Sequence, residues 1–217
     1  MRNTRRPLAA QLLPTLTKVV LGSALLASLS GCFGLVVGAG VAGAMSAVDR
    51  RTLGAQTEDK SVNVKAELKA REIVGSAGNV NVTSYNRKVL LTGEVRDEAM
   101  KQAVEREVRA IDNVVSVINE LSISGMSSYT SRSNDALITT KVKASLVDMK
   151  TVSANSFKVT TERGVVYLMG IVTQREGNIA ADVAKGVSGV TRVVKIFEYI
   201  SEEDARARQN NPSQAPL

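Results

Sequence analysis

The chain repeats itself. Val82-Thr83 and the run Val89-Leu90-Leu91-Thr92-Gly93-Glu94-Val95 return as Val159-Thr160 and Val166-Tyr167-Leu168-Met169-Gly170-Ile171-Val172, shifted by 77 residues at each matched position. Further on, Ile111-Asp112-Asn113-Val114 matches Val187-Ser188-Gly189-Val190 at an offset of 76, so one residue has been lost in between. Asp59 matches Asp135 upstream. Residues 59–123 and 135–200 are therefore two copies of one unit of about 65 residues, and the fold must be one that such a unit can adopt twice.

Each copy has the same order of local signals. A helix opens it, over 60–74 and 135–149. Two strands follow, 79–85 with 88–95 and 156–161 with 164–172, joined by tight turns at Asn86-Arg87 and Glu162-Arg163-Gly164. A second helix spans 97–110 and 174–186; in the first copy Met100, Ala103, Val104, Val108 and Ile111 make its apolar stripe. A last strand closes each unit, over 114–123 and 190–200. Val165 to Val172 is apolar apart from Gly170, as a central strand requires. The fold class is α+β: two tandem α-β-β-α-β domains, each a three-stranded mixed sheet with two helices on one face. Residues 124–134 are rich in Ser and Gly and read as a linker, and the polar stretch 201–217 reads as a disordered tail.

The one cysteine places the chain in the cell. Cys32 ends the run Leu29-Ser30-Gly31-Cys32, behind a basic start (Arg2, Arg5, Arg6, Lys18) and an apolar run from Val19 to Leu29. That run is near the length of the apolar core of a signal peptide and short of the roughly 20 residues a spanning helix needs. The order is that of a lipoprotein signal, with 1–31 removed, Cys32 acylated and 32–58 left as a tether. Several acyl chains, at roughly 0.8 kcal/mol per buried methylene, make a lasting anchor. Residue 33 is Phe rather than Asp, which by the sorting rule of bacterial lipoproteins directs the chain to the periplasmic face of the outer membrane. The first 31 residues carry four basic groups and no acidic one, so the remainder has a net charge of +3 rather than +7.

Composition removes several function classes. The chain has no His, and acylation of Cys32 leaves no thiol, so Cys/His zinc sites and His-dependent nucleophilic catalysis have no residues to use. Aromatic residues are 3% of the chain and Trp is absent, which argues against a stacking platform for nucleic acid. No enzyme activity, cofactor or metal is expected. Gly38-Ala39-Gly40-Val41-Ala42-Gly43 fits a dinucleotide fingerprint, with Glu58 downstream, but no strand precedes it and no βαβ unit surrounds it.

The repeat resembles the BON domain, and a lipobox followed by two such domains resembles the DolP-type outer-membrane lipoproteins. The likeness includes Ala47-Val48-Asp49-Arg50-Arg51-Thr52-Leu53-Gly54-Ala55-Gln56 and Asn134-Asp135-Ala136-Leu137-Ile138-Thr139-Thr140-Lys141-Val142. Gly93 and Gly170 match the family's core glycine; their expected role is close packing of a helix over the sheet or a twist in the strand. The resemblance implies a non-enzymatic periplasmic lipoprotein that supports envelope integrity. It also implies that the second domain contacts anionic phospholipid through its first helix.

The residues of that helix agree. With Leu137 at 0° and about 100° per residue, Ile138, Val142, Ser145 and Met149 gather between about 80° and 140° as a core face. Leu137, Thr140, Ala144 and Val147 lie off it, flanked by Lys141 and Lys143. Copy one is neutral, whereas copy two has nine basic and six acidic residues. Apolar groups between lysines suit shallow insertion at a charged bilayer. In family relatives the place of Leu137 is commonly Trp, which favours the interface more strongly. The expected phospholipid-binding residues are thus Leu137, Thr140, Lys141, Lys143, Ala144 and Val147. The rival reading is a scaffold or chaperone-like adaptor that binds envelope proteins without recognising lipid.

Overall fold

The computed structural model describes residues 49–210; Cys32, the glycine run 38–43 and residues 211–217 lie outside them. Copy one comprises α1 (Leu53–Val74), β1 (Asn79–Tyr85), β2 (Lys88–Val95), α2 (Glu98–Arg109), β3 (Ser116–Asn119) and β4 (Ser122–Ile123). Copy two comprises α3 (Tyr129–Asp148), β5 (Phe157–Glu162), β6 (Val165–Val172), α4 (Gln174–Lys185) and β7 (Arg192–Tyr199), and α5 (Glu202–Asn210) follows it. Each sheet is mixed: β1 and β5 run antiparallel to the central strands β2 and β6, while β3, β4 and β7 run parallel to them. The last strand of copy one is broken into β3 and β4, both paired with β2.

Alternation along the central strands explains the layering. Val89, Leu91 and Val95 pack under α1 and α2 with Val62, Ala66, Val104 and Val108. Val166, Leu168 and Val172 pack under α3 and α4 with Ile138, Val142, Leu146 and Ala180. The intervening residues point the other way, and there Tyr85 and Leu90 meet Tyr167, Met169 and Ile171 in one shared core. The two sheets thus pack face to face, with a helical layer outside each. This accounts for β6 being apolar on both faces: each sheet is the other's cover. Thr83 and Thr160, equivalent in the repeat, meet at 3.3 Å across this seam.

Both hairpins close through two-residue turns with positive φ at both positions, Asn86 (49°) and Arg87 (66°) in one, Arg163 (51°) and Gly164 (75°) in the other. Such turns match the strand twist. A buried aspartate holds each. Asp59 accepts from the Asn86 and Arg87 N–H groups at 2.7 and 2.8 Å. Asp135 accepts from those of Arg163 and Gly164 at 2.8 and 2.9 Å. The matched aspartates of the repeat are turn anchors, reaching from helix to hairpin.

Three boundaries differ from the sequence reading. α1 begins at Leu53 rather than 60, because the Thr52 side chain accepts from Ala55 N–H and caps it there. α3 begins at Tyr129 rather than 135, capped by Ser128, so the second half of the expected linker 124–134 is helical. The expected disordered tail 201–217 contains α5, whose start is fastened by Ser201 Oγ accepting from Asp204 N–H at 3.0 Å. Acidic residues in its first turn and Arg208 in its last suit the helix dipole, and Ala205 is buried.

Of the two roles expected for the core glycines, helix packing is not the one their neighbours show. A Cβ at Gly93 would lie 2.1 Å from the carbonyl oxygen of Asn79, and one at Gly170 would lie 2.4 Å from that of Ser156. The close neighbour is the backbone at the start of the adjacent strand, not a helix.

Candidate functional site

α3 is long enough to show a buried face and a free one. Asp135, Ile138, Val142 and Leu146 are its buried residues. Leu146, not Met149, completes the core stripe; Met149 is the C-cap and is exposed, and Ser145 is half-buried. The six residues expected to contact lipid, Leu137, Thr140, Lys141, Lys143, Ala144 and Val147, are all exposed on one helix. Leu137 is 59% and Val147 64% accessible, a large apolar area to leave in water on a helix otherwise well packed.

The polar groups on this face are spare. The Thr140 hydroxyl donates back to Ala136 O at 2.9 Å and is satisfied within the helix. Lys141 and Lys143 make no ion pair among the described residues. Asp148, in the last turn, is also exposed. The earlier start of the helix adds a residue that the sequence reading missed: Tyr129, 84% exposed, with the Arg132 guanidinium 4.5 Å from its ring centroid. One signal for it was present, since Ser128 precedes Tyr129 as an N-cap would, inside a stretch whose Ser and Gly content masked it. With one helical residue about every 100°, Tyr129 and Val147 share one direction and extend the apolar stripe over the full length of α3.

Exposed apolar side chains also occur elsewhere, among them Leu53, Val64 and Leu68 of α1 and Val115. No group of three or more metal-ligating side chains occurs among the described residues. No helix among them is long and apolar enough to cross a membrane.

Comparison with known proteins decides the family. The BON domain model matches residues 58–125 and 134–200. The chain belongs to the BON-domain family. The chain is 37% identical to Outer membrane lipoprotein DolP of Haemophilus influenzae over 174 residues, 79% of this chain and 90% of that one. A 21 kDa hemolysin of Actinobacillus pleuropneumoniae is 30% identical over 155 residues, 70% of this chain and 80% of that one. Osmotically-inducible protein Y of Escherichia coli is 46% identical over 61 residues, 28% of this chain and 30% of that one. In BON terms, α1 to β4 is the first domain and α3 to β7 the second, so the exposed stripe belongs to the opening helix of BON domain 2.

Proposed function

We propose that this chain is a lipid-anchored outer-membrane protein that supports envelope integrity, with BON domain 2 lying on anionic phospholipid through the outer face of α3. The observation that carries the reading is the apolar stripe of Tyr129, Leu137 and Val147, exposed in water beside the unpaired ammonium groups of Lys141 and Lys143. Leucine and valine side chains enter the acyl boundary while lysines reach the phosphates. The outer-membrane assignment is supported by the relative named Outer membrane lipoprotein DolP, and the anchor by the sequence around Cys32. An acyl tether holds the protein at the surface, so a weak second contact acts at high effective concentration.

Flotation with vesicles tests it, using residues 47–217, which form one compact unit and lack the acylation site. Binding to phosphatidylglycerol vesicles, little binding to phosphatidylcholine vesicles, and loss of binding as salt rises are expected. Leu137→Glu replaces an apolar wedge with a like charge and should weaken binding at least about tenfold with the fold retained. Leu137→Trp should strengthen it. Equal behaviour on both vesicle types would leave the protein-adaptor reading in its place.

A further inference from the structure

Beside the apolar stripe lies a groove of which the lipid-contact reading uses only Lys143. It is a cavity of about 410 Å³ lined by Arg132, Asp135, Ala136, Thr139 and Lys143 of α3, by Lys158 to Glu162 of β5, and by Asn81 and Thr83 of β1. It therefore runs along the open edge of β5, where the second sheet meets the first. On the helix, its residues occupy a sector from about 160° to 260° with Leu137 at 0°, next to the stripe, which begins at about 280°.

The groove is rich in hydroxyls and in positive charge without partners. Thr139 Oγ1 donates to Thr161 Oγ1 at 2.7 Å, and the Thr83 and Thr160 hydroxyls lie 3.3 Å apart. Each hydroxyl retains acceptor or donor capacity beyond that one bond. Lys143 and Lys158 approach the groove from opposite walls, and neither makes an ion pair among the described residues. Burial first, and then the charges of Lys143 and Arg51, hold the Lys158 ammonium below its usual range against the opposing charges of Asp49 and Asp59. The two lysines thus repel across the space, and the negative charges of Asp49 and Asp59 offset this only in part. Both acidic groups of the lining are committed elsewhere: Asp135 to the hairpin turn, and Glu162 to Asn81 Nδ2 at 2.8 Å.

Resting on the lipid-contact reading, we infer that this groove seats the phosphodiester of an anionic lipid headgroup between Lys143 and Lys158, with Arg132 at its mouth. When the stripe enters the bilayer, the neighbouring sector of α3 stands at headgroup depth, and the groove opens there. The stripe supplies insertion; the groove supplies the contact with phosphate. An anion between the two lysines removes their mutual repulsion, so its binding raises the Lys158 ammonium toward the usual lysine range.

Glycerophosphoglycerol, the headgroup without acyl chains, separates the two parts. Titrated into residues 47–217 and followed by NMR, it should shift the amides of 139–143 and 158–161 saturably and raise the Lys158 titration point. Lys158→Gln and Lys143→Gln should each abolish those shifts and weaken flotation with phosphatidylglycerol vesicles about fivefold. Leu137→Glu should keep the headgroup shifts and lose flotation. Flotation that survives Lys158→Gln unchanged, with no headgroup shifts in the wild type, overturns the groove while leaving the lipid reading intact. Headgroup shifts without wild-type flotation defeat the lipid reading instead. Inorganic phosphate binding more tightly than glycerophosphoglycerol, without flotation, makes the ligand a free phosphate and overturns the headgroup assignment.

Discussion

Replacing Arg50 with alanine is expected to destabilise the protein by about 3–5 kcal/mol, the cost of leaving a buried charge without its partner. Arg50 is 1% exposed, and its guanidinium donates to both carboxylate oxygens of Glu176, at 2.7 and 2.9 Å, and to Ile171 O at 3.0 Å. Glu176 is itself the third residue of a capping box, accepting from Thr173 N–H at 2.9 Å. One side chain therefore ties the segment ahead of α1 to the start of α4 in the other domain. The next residue grips the first domain: Arg51 donates to Asp59 at 2.7 Å and stacks 4.1 Å above the Tyr85 ring. In thermal melts a loss of that size lowers Tm by about 10 °C for a chain of this length. Arg50→Lys should recover only part, because a single ammonium cannot span two carboxylate oxygens and a carbonyl. A loss below about 1 kcal/mol by urea denaturation would show that the pair does not hold the domains together.

The same pair sets a pH dependence. Burial pushes the Glu176 carboxyl up, but the Arg50 hydrogen bond, the Thr173 N–H and the charges of Arg50 and Arg175 outweigh it and hold the carboxyl below its usual range. A carboxyl lowered in the folded state stabilises above its unfolded value of about 4.3 and loses that contribution as pH falls through the folded value. The stability gap between the wild type and Arg50→Ala should be full at neutral pH and shrink below about pH 4.

What the sequence displayed and what it hid have separate physical causes. The order of elements was legible because most apolar positions recur at an offset of 77 or 76, and hairpin turns have short-range chemistry. The cover over the second face of each sheet was not, because Leu90 and Tyr167 look like any central-strand residues until the other copy's sheet is placed against them. Arg50 lies outside both repeats and finds its partner 126 residues away, so no local pattern marks it. α5 was hidden by its polarity: a helix that buries little beyond Ala205 carries no apolar stripe to detect. On α3, helical periodicity placed the outer face correctly but not its ends, so Tyr129 was missed and Leu146 was exchanged for Met149. The groove beside it needs β5 and β1 as well, brought alongside α3 only by folding.

Alanine at Gly93 should cost at least about 3 kcal/mol, combining a steric clash with backbone strain. The Cβ would stand 2.1 Å from Asn79 O and 3.1 Å from Asn79 C, atoms of a neighbouring strand that cannot move without breaking the β1–β2 ladder. Gly93 also has φ of 113°, a region that a side chain rarely enters. Gly170 stands at the same place in the second repeat and has the same kind of clash, 2.4 Å from Ser156 O, but its φ is not in that region. The two alanine variants should therefore differ, with Gly93→Ala the less stable, by roughly the 1–3 kcal/mol that a strained backbone contributes. Urea midpoints measure this directly. Vesicle binding by the folded fraction should be unchanged in both variants, since neither glycine lies on the outer face of α3. Equal midpoints would mean that the clash alone sets the cost, whereas lost binding at full stability would make these glycines part of a ligand site.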